Sequence, residues 1–354
     1  MRTRTGDTLL ALLKAAQHLT SLHVREALLR AFCVGAQRAL RAQHCALNVL
    51  DGAMASRRFK CIGSCGVGGT SGDWDDAGDD MTPLASDPFL ARATERGASF
   101  SRMRVDHGWR LAFQIMHAGR LRWILDVHID SAVAPATVDG MRTYIHCFER
   151  LMASWDYANL DTLTGLLNRK TFDEQFDQLI AVAERARRHD GERRENADHP
   201  HPSWLGIVDI DHFKNINDTW GHLFGDEVLI RLAECMRGAF RSSDKLFRFG
   251  GEEFVVMLRN VPADTVAGIF ERFRAEVEHH DFPQVGTVTC SIGFAQVDDR
   301  LTPAELLGRA DSALYYGKEH GRNCTWAYED LVAAGELATT EATSSAQQDA
   351  DQYF

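Results

Sequence analysis

The sequence predicts an α+β chain built as two domains joined by a helix, and three observations carry that expectation. Its 354 residues suit about two domains of roughly 150 residues each. Residues 5–135 run in the order helix, helix, strands, helix, strands, helix. Residues 205–258 hold a strand that ends in two carboxylates, then a hairpin whose turn carries two glycines and two glutamates. The boundaries expected are 1–137 for the first domain, 138–160 for the joining helix, 161–330 for the second domain and 331–354 for an acidic, disordered tail.

At 45% hydrophobic and 25% charged residues, with only 8 prolines, the composition excludes collagen-like, mucin-like and wholly disordered chains. The net charge is −11, and residues 161–330 alone carry −10 of it; the tail adds −4 and the first 160 residues return +3. That balance argues against a general nucleic-acid binder or a polybasic membrane binder, but not against an anionic substrate met by local positive charge. No apolar run approaches the ~20 residues of a membrane span. The start lacks a convincing leader peptide, and the eight cysteines show no zinc spacing. A cytoplasmic protein with reduced, buried thiols is expected.

In the first domain, Leu9, Leu10, Leu12 and Leu13, then Val24, Leu28, Leu29 and Phe32, recur at helical spacing. Two strand-like runs follow, HCALNVLD and RRFKCIGSCG, and then a loop of Gly and Asp from residue 66 to 80. Asp73, Asp75 and Gly78 there suit a calcium loop, but Ala77 and Leu84 stand where ligands belong, so calcium binding is not expected. DPFLARATERGASF reads as a helix running into a strand. WRLAFQIMHAGRLRWILDVHID reads as a hairpin turning at His117–Arg120, with Trp123, Leu125, Val127 and Ile129 on one face and Asp126, His128 and Asp130 on the other. This order of elements resembles a GAF sensory domain, which implies a pocket for a small ligand, or none where such a domain only dimerises.

Met141, Ile145, Phe148, Met152 and Trp155 then alternate at spacings of 4 and 3, with Asn159 at the next position. That stripe predicts a short parallel coiled coil between the two domains, with a helix packed on its own domain as the alternative.

The second domain opens with DTLTGLLNR (161–169), read as the start of a helix. The strand LGIVDID (205–211) ends in Asp209 and Asp211, which share a face by period-two spacing. In KLFRFGGEEFVVML, Gly250 and Gly251 suit a turn with positive φ, and Glu252 and Glu253 sit at its tip. Brought against Asp209, these glutamates make a three-carboxylate site that repels itself unless a divalent metal fills it.

These motifs resemble the GGDEF family of diguanylate cyclases. DxLTGLxNR, DIDxFKxINDxxGHxxGD, GGEEF and YxxKxxGRN occur in the family's order over residues 160–330. The resemblance implies a largely antiparallel sheet wrapped by helices, like the polymerase palm and the nucleotide cyclases. It also implies condensation of two GTP into cyclic di-GMP and two pyrophosphates. Asp209, Glu253 and the carbonyl of Ile210 would hold two Mg²⁺, with Mn²⁺ as an alternative, and Glu252 would be ligand or base toward the ribose 3′-OH. Asn217 and Asp226 would read guanine, with His222 in the same stretch. Lys214, Lys318 and Arg322 would hold phosphates, and Gly250 and Gly251 would admit the α-phosphate. Each domain supplies half of the reaction, so a homodimer is implied. Arg241 and Asp244 match the spacing of the family's inhibitory product site, with Arg272 as a second cation. Asp211 is expected only to support the end of its strand.

Overall fold

The structure is a computed structural model that describes residues 2–22, 24–51, 57–66, 81–95, 99–177, 179–180, 201–241, 243–298 and 300–338. The Gly/Asp-rich loop, with its candidate calcium ligands, and all of the tail beyond residue 338 lie outside these. The chain divides into two units between Ala158 and Asn159.

In the first unit the two helical patterns become α1 (Arg2–Leu19) and α2 (Arg25–Leu40). The strands are β1 (His44–Asp51), β2 (Arg58–Gly66), β3 (Thr82–Pro83), β4 (Phe100–Val105), β5 (Gly108–His117) and β6 (Arg120–Ile129), with α3 (Pro88–Ala93) before β4 and α4 (Pro135–Asn159) after β6. They form one antiparallel sheet in the order β3-β2-β1-β6-β5-β4. The β5–β6 hairpin turns between His117 and Arg120, as its sequence predicts.

What covers this sheet decides how the α4 stripe is used. Phe32, Leu47, Trp123, Leu125 and Val127 pack on one face with Met141, Ile145, Phe148 and Met152 of α4. Phe32 and Phe148 stack at 4.1 Å. The 4-and-3 stripe from Met141 to Met152 is therefore packed inside its own unit, the second of the two readings its spacing allows. The reason is that a sheet and a partner helix demand the same apolar spacing. On the other face Leu50, Phe89, Leu90, Ala112 and Ile124 form a smaller cluster under α3, and Leu84 packs in it. Asp126 on that face is buried and accepts three hydrogen bonds from Arg110, whose fork also reaches Asp87, the cap of α3.

In the second unit the strands are β7 (Leu167–Asn168), β8 (Trp204–Ile210), β9 (Lys245–Gly250), β10 (Glu253–Leu258), β11 (Cys290–Gln296) and β12 (Thr325–Ala327). The sheet order is β12-β11-β8-β10-β9-β7, antiparallel at its centre and parallel only in the edge pairs β11–β12 and β7–β9. The helices are α5 (172–177), α6 (Phe213–Trp220), α7 (His222–Ala239), α8 (Ala263–His279), α9 (Pro303–Glu319) and α10 (Tyr328–Ala333). Side chains of α7 and α8 pack on one face of the sheet, those of α5, α9 and α10 on the other. All seven residues of β8 are buried, which is why it reads as a continuous apolar run until its acids. Gly293 lets α9 lie close on β11: a Cβ there would stand 2.1 Å from the amide nitrogen of Leu314.

Two boundaries differ from expectation. DTLTGLLNR is not helical before its last residue: the Asp161 carboxylate accepts from Thr164 N–H and Oγ1 in a tight turn, Gly165 takes φ +67°, a 3₁₀ turn spans Arg169–Thr171, and the α-helix starts at residue 172. The domain also runs past residue 330, because α10 crosses that point and buries Leu331 against α9.

Candidate active site

The site is built where β8 stops. Side chains alternate along β8, so Leu205 and Ile207 join the cluster under α9 while Val208 and Ile210 join the opposite one. Asp209 falls on the α9 side at the open end of the strand, and its Oδ1 lies 2.9 Å from Lys318 Nζ. In the β8–β10 ladder Asp209 stands directly opposite Glu253. The β9–β10 turn places Glu252 one residue earlier, with Gly250 at φ +147° and Gly251 at φ +51°, values that side chains with a Cβ rarely adopt. Arg248 fixes this turn: it donates to the Gly251 carbonyl at 2.9 Å and pairs with Asp161 at 3.0 Å.

Burial raises the Asp209 carboxyl above its ordinary range, against the opposing pull of Lys318. Burial also raises Glu252 and Glu253, and the charge of Asp209 pushes both in the same direction. Asp311 on α9 is raised by burial too, with Lys318 opposing. Four partly desolvated carboxylates thus share one nearby ammonium. Hard oxygen donors with excess negative charge suit Mg²⁺. They do not close into a tight shell here: among the described residues no three carboxylate groups bring their oxygens within 4.8 Å of one another, and Lys318 occupies Asp209.

Asp209, Ile210, Lys214, Glu252, Lys318 and Arg322 line one cavity of about 190 Å³, together with His212 and Asn215. Asn217, His222 and Asp226 lie apart from that lining, at the α6–α7 corner. There Gly225 accommodates Asn217, whose Oδ1 would sit 2.1 Å from a Cβ at that position. His222 and Asp226 are exposed one turn apart on α7. Asp211 has a structural role: its carboxylate accepts from Thr289 Oγ1 at 2.8 Å, Ser291 Oγ at 2.7 Å and the Asn323 N–H at 2.9 Å. That last bond pins the Gly321–Asn323 stretch, where Arg322 is held at φ +63° and so turned into the cavity lining.

At the end of α7, Arg241 and Asp244 close a turn through Arg241 N–H to Asp244 Oδ2 at 2.9 Å and Asp244 N–H to the Arg241 carbonyl at 3.0 Å. Asp244 is buried, which raises its carboxyl. Arg272 of α8 reaches the same corner, donating to the Ala239 carbonyl at 3.1 Å.

Sequence reasoning missed Asp311 and Arg248. Asp311 lies seven residues before Lys318, two helical turns on one face of α9, and that spacing was the available signal. For Arg248 no local pattern exists, because its partner Asp161 is 87 positions away.

Residues 158–324 match the family model described as "Diguanylate cyclase, GGDEF domain". The diguanylate cyclase DgcP of Pseudomonas aeruginosa is 40% identical over 166 residues, 46% of this chain and 23% of that protein. The diguanylate cyclase DgcM of Escherichia coli is 37% identical over 207 residues, 55% of this chain and 46% of that protein. The chain therefore spans less than half the length of these curated relatives. Among solved structures, the GGDEF domain of DgcB from Caulobacter crescentus, in complex with c-di-GMP, is 35% identical and covers 49% of this chain and 94% of its own, with a TM-score of 0.43. Residues 158–324 are thus a GGDEF domain, and the curated proteins similar to it include several diguanylate cyclases.

Proposed function

We propose that this chain is a diguanylate cyclase that condenses two GTP into cyclic di-GMP with release of two pyrophosphates. The observation that carries the reading is Asp209 facing Glu253 across the β8–β10 ladder, with Glu252 on the adjoining turn and Lys318 above them. Asp209, Glu253, Glu252 and the Ile210 carbonyl are the groups that would hold Mg²⁺ or Mn²⁺. Bound metal supplies polarisation of the α-phosphate and charge neutralisation on the leaving pyrophosphate. The chain's own groups do the positioning. Lys214, Arg322 and a Lys318 released from Asp209 bind phosphate oxygens. Gly250 and Gly251 leave open space on the turn for the α-phosphate. Asn217 and Asp226 read the guanine edge, with His222 beside them, and Glu252 takes the 3′-OH proton.

One domain brings one GTP, so two copies must face each other and the active form is a homodimer. The Arg241–Asp244 turn with Arg272 is the site for inhibition by cyclic di-GMP. The first unit, GAF-like in its order of helices and strands, is the regulatory domain, with a small ligand or none in it.

The test is to incubate the full chain with GTP and Mg²⁺ and separate the products. Cyclic di-GMP and pyrophosphate in a 1:2 ratio are expected. GTP bound but unchanged would instead make the domain a nucleotide sensor, and full activity from a measured monomer would remove the dimer.

A further inference from the structure

The GGDEF chemistry uses none of the three cysteines that meet in the first unit. Cys33 comes from α2, Cys45 from the start of β1 and Cys65 from the end of β2, and all three are buried. Cys45 and Cys65 are direct partners in the β1–β2 ladder, so their side chains leave the sheet on the same face. Cys33 descends on them from the helix above. Its Sγ lies 3.5 Å from Cys45 Sγ and 3.8 Å from Cys65 Sγ, and all three sulfurs fall within 4.8 Å of one another. Among the described residues this is the one group of three or more potential ligands so tightly gathered.

We propose that Cys33, Cys45 and Cys65 form a three-thiolate site for a thiophilic closed-shell metal ion, Zn²⁺ or Cu⁺. Sulfurs held at about 2.3 Å from a tetrahedral zinc stand about 3.8 Å apart, which matches the spacing already present. Thiolates are the ligands that select these two ions over hard cations. A fourth donor is at hand for Zn²⁺ in the Cys45 carbonyl, 3.4 Å from Cys33 Sγ and 3.7 Å from Cys65 Sγ, whereas Cu⁺ needs only the three sulfurs. The guanidinium of Arg38 stands near Cys65 and would offset part of the thiolate charge. The ligands lie on three separate elements, so bound metal would tie α2 to the β1–β2 pair at one end of the sheet.

The test titrates the full-length, reduced, chelator-treated protein without oxygen, with Zn²⁺ and separately with Cu⁺, each against a competing chelator. One tightly bound equivalent is expected for at least one of the two ions, and the preferred ion identifies the site. Cys33→Ala and Cys65→Ala should each weaken that binding by more than the roughly 10- to 100-fold typical of outer-shell partners. Cys61→Ala, a thiol of the same strand outside the cluster, should leave it unchanged. Should the core substitutions unfold the unit, X-ray absorption of the loaded, unsubstituted protein decides: three sulfur neighbours at about 2.3 Å are expected. Substoichiometric uptake of both ions, or a shell of nitrogen and oxygen only, overturns the site and leaves three packed thiols.

Discussion

Both units lay a long helix across a six-stranded sheet, yet they treat buried charge in opposite ways. In the first, the inner face of α4 carries no charge, its Tyr144 hydroxyl donating to the Phe32 carbonyl, and the buried acid of the sheet, Asp126, is matched by the fork of Arg110. In the second, α9 carries Asp311 and Lys318 to the open end of β8, where Asp209, Glu252 and Glu253 outnumber that single ammonium. A neutralised acid is a structural element. A cluster left with surplus negative charge, and with carboxyls pushed upward, is a place that a cation and a substrate complete.

The first way to sharpen this contrast is to cut the apolar stripe. Phe148→Ala should destabilise the first unit by about 3–5 kcal/mol, as expected for a fully buried aromatic, seen as an earlier unfolding transition. A loss of association with unchanged stability would mean instead that the stripe faces a second helix. Next comes Arg110→Ala, which takes from Asp126 and Asp87 the guanidinium they share; about 2–4 kcal/mol of stability should be lost, since the cluster is largely but not wholly buried. Lys318→Ala, by comparison, should spare stability and reduce turnover, because it removes the ammonium that pairs with Asp209 in an acidic site.

A smaller effect separates the two regions by pH. Asp209, Glu252, Glu253 and Asp311 are all raised, so the folded state holds more protons than the unfolded state between the ordinary carboxylate range and their raised values. Without divalent metal, stability must then fall as pH rises through that window. Added Mg²⁺ should recover it above the window and have little effect below, read as melting temperature with and without the ion. The opposite trend would mean that Lys318 already satisfies the site. The subtlest change is Arg241→Ala, which should relieve inhibition by cyclic di-GMP while leaving the uninhibited rate near normal; unchanged inhibition removes that corner from the regulatory account.

The same contrast explains what was legible in the sequence. The end of β8 and the GGEEF turn announce themselves locally, because glycines, alternation and adjacent acids are all short-range signals. For Asp126, alternation shows which side chains share its face but not what later covers that face; α3 does. The α4 stripe reads as a coil seam for the same reason. Asp311 looks like an ordinary polar position on a helix until Gly293 lets α9 settle close enough to bring it toward Asp209. The cysteine cluster is invisible to spacing rules because its three members come from three elements and meet only through the β1–β2 register.

The most direct measurement compares the full chain with its Glu252→Gln variant in GTP and Mg²⁺, scoring GTP binding and cyclic di-GMP formation side by side. The carboxylate account predicts that the variant folds and binds GTP but loses turnover by at least roughly 10²- to 10³-fold, the scale of losing one group that stabilises the transition state. Normal turnover by the folded variant would contradict it.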